Sequence, residues 1–144
     1  MLAKQNQLLA ALPPPDLERL LPHLEPVLLE SGSAIYESGS QHEFVYFPIA
    51  GDVSLQRVNS DDSSAEIAVV GKEGVVGIAL SVGGAITTPS RAVVQNAGEG
   101  YRLKAELLKQ EFERHGSLRY VLLRYIQSLI AQMAKATGSY RHHS

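Results

Sequence analysis

The stretch from Gly71 to Arg91, GKEGVVGIALSVGGAITTPSR, is the part of the sequence that decides the fold. A glycine-punctuated turn lies here between two β-rich runs, and further along the chain one long amphipathic helix follows. Backbone N–H groups of such a turn can hold an anionic ligand. The helix carries more apolar surface than a domain of this size covers by itself. We therefore expect a ligand-sensing barrel attached to a dimerisation helix.

The glycines of this stretch admit two interpretations. They are Gly74, Gly77, Gly83 and Gly84. The first interpretation is turn geometry, because glycine supplies a positive φ wherever a barrel bends. The second is a nest of backbone N–H groups for an anion or a carbonyl-bearing ligand. The sequence leaves both open.

Length, charge and cysteine content exclude several classes of function. The chain has 144 residues, enough for one domain with a real core, and 44% of them are hydrophobic. A net charge of −2 argues against DNA or membrane binding by this segment alone, because both require clustered cations. The chain has no cysteine, so disulfides, thiol catalysis and cysteine-rich zinc sites are excluded. No apolar run is long enough to span a bilayer, and we expect a cytoplasmic protein.

The organisation of the chain is helices, then strands, then helices. Pro13, Pro14 and Pro15 end the first helix, and Asp16 is expected to cap the second. From Glu25 onward, short β-favouring runs alternate with turns such as IAGD and NAGEG, which is typical of an antiparallel sandwich or barrel. The pattern predicts an α+β, mainly β fold. Its predicted parts are N-terminal helices at 1–24, a β-barrel effector domain at 25–104, C-terminal helices at 105–138, and a tail or hinge at 139–144.

The last helix is predicted to begin at Ser117 and to end near Thr137, with Gly138 as its stop. Its apolar residues cover more than one face, which indicates a contact beyond the chain's own core. We predict a homodimer with a parallel pair of these helices. The predicted interface residues are Leu118, Leu122, Tyr125, Ile126, Leu129, Ile130 and Met133.

Catalytic and metal-binding patterns are not readable in the sequence. The histidines are scattered: His23, His42, His115, His142 and His143. A cupin-type metal site would need a close His-x-His pair with a carboxylate and a further histidine, and the sequence has no such set. It also has no nucleophile elbow, Walker loop or zinc-helix motif. We therefore predict a protein that is not an enzyme and holds no metal or resident cofactor.

The order of these features resembles the sensory half of Crp–Fnr-type transcription regulators, a cyclic-nucleotide-binding-like domain. The resemblance covers nearly the whole chain and rests on four segments taken in order. They are EFVYFPIAGDVSL (43–55), GKEGVVGIALSVGG (71–84), RAVVQNAGEGYRL (91–103) and LLRYIQSLIAQMAKAT (122–137). It implies a double-stranded β-helix or jelly-roll barrel with a long C-terminal dimerisation helix.

The cassette that holds the ligand in this family departs from its usual pattern here. Members that bind cyclic AMP have Gly-Glu at the turn and an arginine about ten residues later, whereas this chain has Gly77-Ile78 and then Thr88. Arg91, three residues late, is either a displaced phosphate anchor or a residue of the outer face. The resemblance implies a ligand-binding set of Gly77, Ile78, Ala79, Leu80, Thr88, Ser90 and Arg91. Cyclic AMP is not expected to bind, and the effector would be another small molecule.

The function predicted from the resemblance is the effector-binding and dimerisation domain of a Crp–Fnr-like transcription regulator. DNA would be a partner only through a helix-turn-helix beyond the C-terminal end of this chain. One alternative is a dimeric β-barrel interaction module that senses nothing, and it would show a filled interior without convergent polar groups. A second alternative, a metal-dependent cupin-type enzyme, would require the histidine cluster that the sequence lacks.

Overall fold

The computed structural model of the chain describes residues 2–37, 43–61, 63–77, 90–114 and 116–142. At residue 2 and at 136–142 it describes the backbone alone. The described elements, in chain order, are a 3-10 turn (Leu2–Gln5), α1 (Gln7–Ala10), α2 (Pro14–Leu20), a second 3-10 turn (Leu21–His23), β1 (Glu25–Leu29), β2 (Ala34–Tyr36), β3 (Phe44–Val58), β4 (Ser64–Val70), β5 (Ser90–Lys104), α3 (Ala105–Phe112) and α4 (Ser117–His142).

The described strands form one antiparallel sheet. Its order is β1-β5-β3-β4, and β2 pairs with β5 outside this path. The longest pairing joins β3 to β5, from Phe44 opposite Lys104 to Arg57 opposite Ser90. The predicted antiparallel, mainly β protein with helices before and after the sheet is therefore confirmed. Its closure into a double-stranded β-helix stays a prediction.

The two central strands are longer than the sequence pattern predicts. β3 and β5 have 15 residues each, and the segments IAGD and NAGEG, predicted as turns, lie inside them. The register between these strands shifts at Ala50 and at Asp52, so the segments are bulges and not chain reversals. Bulges and chain-reversing turns share a local pattern of small and polar residues, and for this reason the prediction of turns was wrong.

Glycines allow the two strands to approach at these bulges. Gly51 has a φ of 81°, and a Cβ there would lie 2.5 Å from the carbonyl oxygen of Asn96. Across the pair, a Cβ on Gly98 would overlap the backbone of Ala50 and lie 2.6 Å from the nitrogen of Gly51. Any larger residue would force the strands apart, so this close approach requires glycine on both sides.

Two predicted helix boundaries differ from the structure. α2 begins at Pro14 and has no side-chain cap, so Asp16 lies in its first turn. The Asp16 carboxylate accepts a hydrogen bond from Arg19, which also donates from Nε to Glu111 Oε2 at 2.9 Å and so ties α2 to α3. At the other end of the chain, α4 continues through Gly138 to His142. A glycine inside a helix costs about 1 kcal/mol relative to alanine, and this does not by itself end the helix.

The apolar core has two parts that lie side by side along α4. The first joins the N-terminal helices to α3 and to the ends of β3 and β5, with Leu9, Phe47 and Leu103 fully buried. The second fills the sheet's inner face, around Val53 and Val94. α4 contributes to both parts, so this one helix closes the whole length of the core.

Asn6 is the most constrained polar side chain of the fold. It is fully buried, and its Oδ1 accepts hydrogen bonds from the backbone N–H groups of Leu8 and Leu9, both at 3.0 Å, which caps α1. Its Nδ2 donates to the carbonyl oxygens of Pro48 at 2.8 Å and Gly74 at 2.9 Å. One side chain therefore joins the N-terminal helix, β3 and the loop after β4.

Replacing Asn6 with alanine is expected to destabilise the chain by about 3 kcal/mol. The variant loses a helix cap worth about 1 kcal/mol and leaves two buried carbonyl groups without their donor. Urea denaturation of the wild type and Asn6→Ala measures the difference. Asn59→Ala is the control, because Asn59 bonds Ser63 at an exposed hairpin tip and should change stability by less than about 0.5 kcal/mol. Equal effects of the two substitutions would contradict the role given to Asn6.

Candidate ligand site and helix interface

The segment from Gly71 to Gly77 connects β4 to the stretch predicted to hold the ligand, and we name it the junction segment. Val75 and Val76 are fully buried. Val76 also exchanges two backbone hydrogen bonds with Tyr46 of β3, at 2.8 and 3.0 Å. Gly77 follows with a φ of 97°. The junction segment is thus bonded to β3 and ends in the left-handed conformation that glycine favours.

Only part of the predicted ligand-binding set falls on described residues. Ile78, Ala79, Leu80 and Thr88 lie outside the described residues, as do Gly83 and Gly84 of the glycine-rich turn. The described members flank this stretch: Gly77 ends the junction segment, and Ser90 and Arg91 begin β5. The side chain of Ser90 is hydrogen-bonded to Tyr36, which projects from β2 into the second part of the core.

Arg91 lies on the outer face of the sheet. Its Nε donates to Gln56 Oε1 at 2.9 Å. Its neighbour on β5, Ala92, is fully buried on the inner face, and side chains alternate along a strand. The guanidinium group therefore points away from the inner face, where a ligand of the barrel would lie. The sequence left open whether Arg91 is a displaced phosphate anchor or a residue of the outer face. This geometry corresponds to a residue of the outer face.

A polar chain continues from Arg91 across three strands. Gln56 Nε2 donates to Ser54 Oγ at 3.3 Å, and Ser54 Oγ donates to Glu66 Oε1 at 2.7 Å. Arg91 lies at one end of this chain and the Glu66 carboxylate at the other. The charge of the arginine is thus accommodated by polar groups on the outer face of the sheet.

Tyr125 of α4 contacts the junction segment directly. Its hydroxyl donates to the carbonyl oxygen of Val75 at 3.3 Å, and its ring lies where a side chain of residue 74 would otherwise be. The pKa of this phenol is raised to about 12, chiefly by burial and to a smaller extent by the nearby carboxylate of Glu73. Burial also raises the pKa of Tyr36, and its hydrogen bond to Ser90 opposes that shift. Sequence reasoning missed this contact because it assigned Tyr125 to the dimer interface.

Most of the predicted interface residues pack inside their own chain. Leu118, Leu122 and Leu129 are buried in the core, so these three members of the predicted set are wrong as surface residues. Tyr125 and Met133 are half-buried against the same core, as is Ile126. Ile130 is the one member of the set that is exposed. The prediction failed because the widest apolar side of an amphipathic helix is the side its own domain uses.

The opposite side of α4 carries a second, narrower apolar row that we name the outer stripe. It consists of Tyr120, Leu123, Gln127, Ile130 and Ala134, at spacings of three, four, three and four residues. Tyr120 is 70% exposed, Ile130 56% and Leu123 37%. A repeat that alternates between three and four residues is the pattern of a coiled-coil seam.

α4 is also fastened to the edge of the sheet. Gln132 Oε1 accepts a hydrogen bond from the backbone N–H of Val69 at 3.0 Å, so the helix covers part of the outer edge of β4. An uncovered strand edge offers unpaired N–H groups to other chains. This bond removes one such group and fixes the rotation of α4 about its axis, which keeps the outer stripe turned to solvent.

Other features of the described residues offer less chemistry. A surface cleft of about 290 Å³ lies between the bend of β3 and the junction segment. Its carboxylates already have partners: Asp52 accepts from Asn96 at 3.0 Å, and Glu73 accepts from the backbone N–H of Gly71 at 3.0 Å. Across the described ranges, no group of three or more histidine, cysteine or acidic side chains could hold a metal ion. Among the same residues, no helix has both the length and the hydropathy to cross a bilayer.

Comparison with known proteins identifies the fold. No family model matches the chain, and no curated protein matches its sequence. Among solved structures, the chain is similar to the N-terminal domain of a transcriptional regulator from Streptomyces coelicolor A3(2), with 20% identity, 95% of each chain covered and a TM-score of 0.60. The sensor domain of the transcriptional regulator DNR from Pseudomonas aeruginosa is similar at 19% identity, with 93% of this chain and 89% of that chain covered and a TM-score of 0.68.

A third similar structure is the c-di-GMP responsive global regulator CLP from Xanthomonas campestris. The identity is 18% and the TM-score 0.71, and the match covers 86% of this chain but only 62% of that chain. At identities this low, the structural similarity establishes the fold and nothing finer. The chain has the cyclic-nucleotide-binding-like fold of Crp–Fnr-type sensory domains, and the resemblance stated from the sequence is confirmed at that level.

The buried phenol of Tyr125 should make stability depend on pH in the alkaline range. Its pKa is about 12 in the folded chain and 10.0 without burial, so its contribution is fully present below pH 10 and is lost as pH rises through 12. Between pH 9 and pH 11 the wild type should lose about 1 kcal/mol more unfolding free energy than Tyr125→Phe, which has no phenol to ionise.

Urea denaturation at the two pH values measures this loss. The control is Asn59→Ala, which changes an exposed hairpin tip and keeps the phenol of Tyr125, so it should lose stability with pH as the wild type does. If Tyr125→Phe and the wild type lose the same amount, the phenol is not buried in the folded chain.

Proposed function

We propose that this chain is the effector-sensing and dimerisation domain of a transcription regulator of the Crp–Fnr type, with a degenerate cyclic-nucleotide cassette. The observation that carries the proposal is that the two faces of α4 differ. Its inner face touches the junction segment beside the predicted ligand site, and its outer face carries an unpartnered coiled-coil seam. A helix so placed links ligand binding on one side to subunit pairing on the other.

The partner of the outer stripe is a second copy of this chain. α4 has 26 residues and is therefore about 39 Å long, which is ample for a two-stranded coiled coil. In a parallel pair, the stripe of one helix meets the same stripe of the other, so that Tyr120, Leu123 and Ile130 are buried together. Gln127 lies in the middle of the seam, and a single polar residue there favours one register and two strands.

The charge of α4 restricts how such a pair is held. The helix contains Arg119, Arg124, Lys135 and Arg141 but no aspartate or glutamate. Two such helices form no ion pairs with each other, so association depends on the apolar seam. The dimer should therefore not weaken as salt is added, which distinguishes it from an interface held by ion pairs.

The mechanism that this arrangement supports is a population shift between two arrangements of the helix pair. A small effector inside the barrel would favour the arrangement in which it makes better contacts with the cassette and α4. DNA-binding domains that follow α4 would then be presented at a matching half-site spacing. The net charge of −2 is consistent with DNA binding by such domains and not by this one.

A second candidate is a dimeric scaffold that senses no ligand. The observation in its favour is the apolar lining of the described inner face, where Val53, Val76 and Val94 are fully buried. A ligand needs convergent polar groups to bind with specificity, and the described inner face offers chiefly the hydroxyl groups of Tyr36 and Ser90. The absence of any effector-dependent change in a full-length regulator would favour this candidate.

Charging the outer stripe is expected to convert a dimer to a monomer. Ile130→Glu places two carboxylates face to face in the seam and should weaken association at least 100-fold without unfolding the chain. Sedimentation equilibrium at micromolar concentration measures the mass. Ser128→Glu is the matched control, because it adds the same charge to an exposed position of α4 beside the stripe and should leave the dimer intact.

Two results would contradict the proposed interface. One is a wild-type chain that stays monomeric up to about 100 μM, well above the concentrations at which specific dimers form. The other is a dimer that Ile130→Glu leaves unchanged. Leu129→Glu is not a suitable test, since Leu129 is buried and a charge there would unfold the domain.

Cyclic AMP and cyclic GMP are expected to bind with dissociation constants weaker than about 10 μM, equivalent to roughly −7 kcal/mol. The cyclic phosphate would be buried without an arginine, because Arg91 is engaged with Gln56 on the outer face. Leaving such a charge unpaired costs about 3–5 kcal/mol. Calorimetric titration measures both nucleotides, and tighter binding that Arg91→Ala abolishes would show that this arginine enters the site.

A further inference from the structure

The ring of Tyr125 in α4 packs directly over Gly74 of the junction segment. A Cβ on Gly74 would overlap the phenolic oxygen of Tyr125 and lie 2.5 Å from ring carbons Cε1 and Cζ. The φ of Gly74 is not in the left-handed region, so its backbone conformation is open to any residue. Glycine is therefore required here by the tyrosine ring and not by the backbone.

The junction segment is also held by two other parts of the chain, the start of α1 and strand β3. Asn6 Nδ2 donates to the carbonyl oxygen of Gly74 at 2.9 Å, and the backbone N–H of Gln7 donates to that of Lys72 at 2.6 Å. The pairing of Val76 with Tyr46 holds the next turn of chain against β3. Because α1 and β3 hold the segment on its other sides, a change in the position of the segment or of α4 has to be accommodated at the contact with Tyr125.

The geometry of α4 carries such movement to the outer stripe. Tyr125 lies on the inner side of the helix, between Leu123 and Ile130 of the stripe along the sequence. The distance along the axis from residue 125 to residue 130 is about 7.5 Å, within one and a half turns of a stiff helix. Close-packed elements transmit displacements because they have little free volume in which to absorb them.

We propose that Tyr125 is a positioning residue that couples the junction segment to the helix pair through its contact with Gly74. The spacing between ring and glycine sets how far α4 stands from the barrel, and so sets the geometry in which two outer stripes meet. This inference rests on the proposed function, since the helix pair is the output that the contact controls. A purely structural contact would contribute to stability alone and leave the pairing equilibrium unchanged.

The test adds one methyl group at the contact and then makes room for it. Gly74→Ala pushes the ring away and should change the dimer dissociation constant by about tenfold or more, although residue 74 lies outside the outer stripe. The double variant Gly74→Ala/Tyr125→Ala has space for the methyl group. Its dimer dissociation constant should therefore lie within about threefold of that of Tyr125→Ala alone. Gly116→Ala is the control, because a Cβ there would meet no atom within 4 Å.

Hydrogen exchange on the full chain provides the second measurement. By reciprocity, the monomeric variant Ile130→Glu should change amide protection at Val75 and Val76 relative to the dimer, and Ser128→Glu should not. If Gly74→Ala does not fold, Tyr125→Leu replaces it, since loss of the ring should change the dimer constant by a similar factor. A dimer constant that stays within about threefold of the control in every folded variant would overturn the proposal.

The failure of the dimer and the failure of the coupling give different results. If the wild type is monomeric, the proposed pairing is wrong, and the coupling is then judged in the monomer. There, Gly74→Ala should change the amide protection of residues 123–130 while Gly116→Ala does not. Unchanged protection in those residues would refute the coupling whatever the oligomeric state.

Discussion

The buried amide of Asn6 bonds to backbone groups from three parts of the chain that are far apart in sequence. Its two acceptor bonds start α1, and its two donor bonds end at Pro48 and Gly74. A buried carbonyl without a donor is costly, and Asn6 supplies a donor to each of these two carbonyl groups. Through the bond to Gly74, this side chain helps to place the junction segment, against which Tyr125 packs.

Local sequence patterns were sufficient to predict the overall architecture. They were insufficient to predict its bulges and its tertiary hydrogen bonds. Alternating runs separated by turn residues predicted an antiparallel sheet between helices, because strand periodicity is a property of neighbouring residues. The bulges at Gly51 and Gly98 were not predictable in this way, since what makes them bulges is the opposite strand. Asn6 carried a readable signal, an asparagine before an apolar run, but its bonds to Pro48 and Gly74 lie beyond any local pattern.

The orientation of α4 was likewise predictable only in part from local sequence. The sequence identified α4 as a helix with excess apolar surface, and that excess exists: Tyr120, Leu123 and Ile130 are exposed after the core is filled. Which side faces inward is set by packing against the N-terminal helices and the sheet. Leu118 and Leu122 pack there, so the narrower row is the one left outside.

Charge inside the described part of the fold limits what a ligand can be. Among the described residues, Asp16 in α2 is the only buried side chain that carries a charge at neutral pH, and it lies outside the part of the core that covers the inner face of the sheet. A phosphate bound against Val53 and Val94 would have to draw its stabilisation from backbone N–H groups alone. Backbone N–H groups can bind an anion, but here they would do so without help from a cationic side chain on the described inner face. An effector that hydrogen-bonds to phenol and hydroxyl groups suits the surroundings of Tyr36 better than a cyclic nucleotide does.

The inner and outer sides of α4 differ in how strongly their contacts fix the position of the helix. The inner side is fixed by close contacts, with Gln132 on the edge of β4 and Tyr125 on the junction segment. The outer side has only a row of exposed apolar groups, whose burial is favourable in any geometry that brings two copies together. Because burial of apolar area has little directional preference, the outer side cannot choose between helix-pair geometries by itself. That choice has to come from the directional contacts on the inner side, where a ligand would change the position of the junction segment.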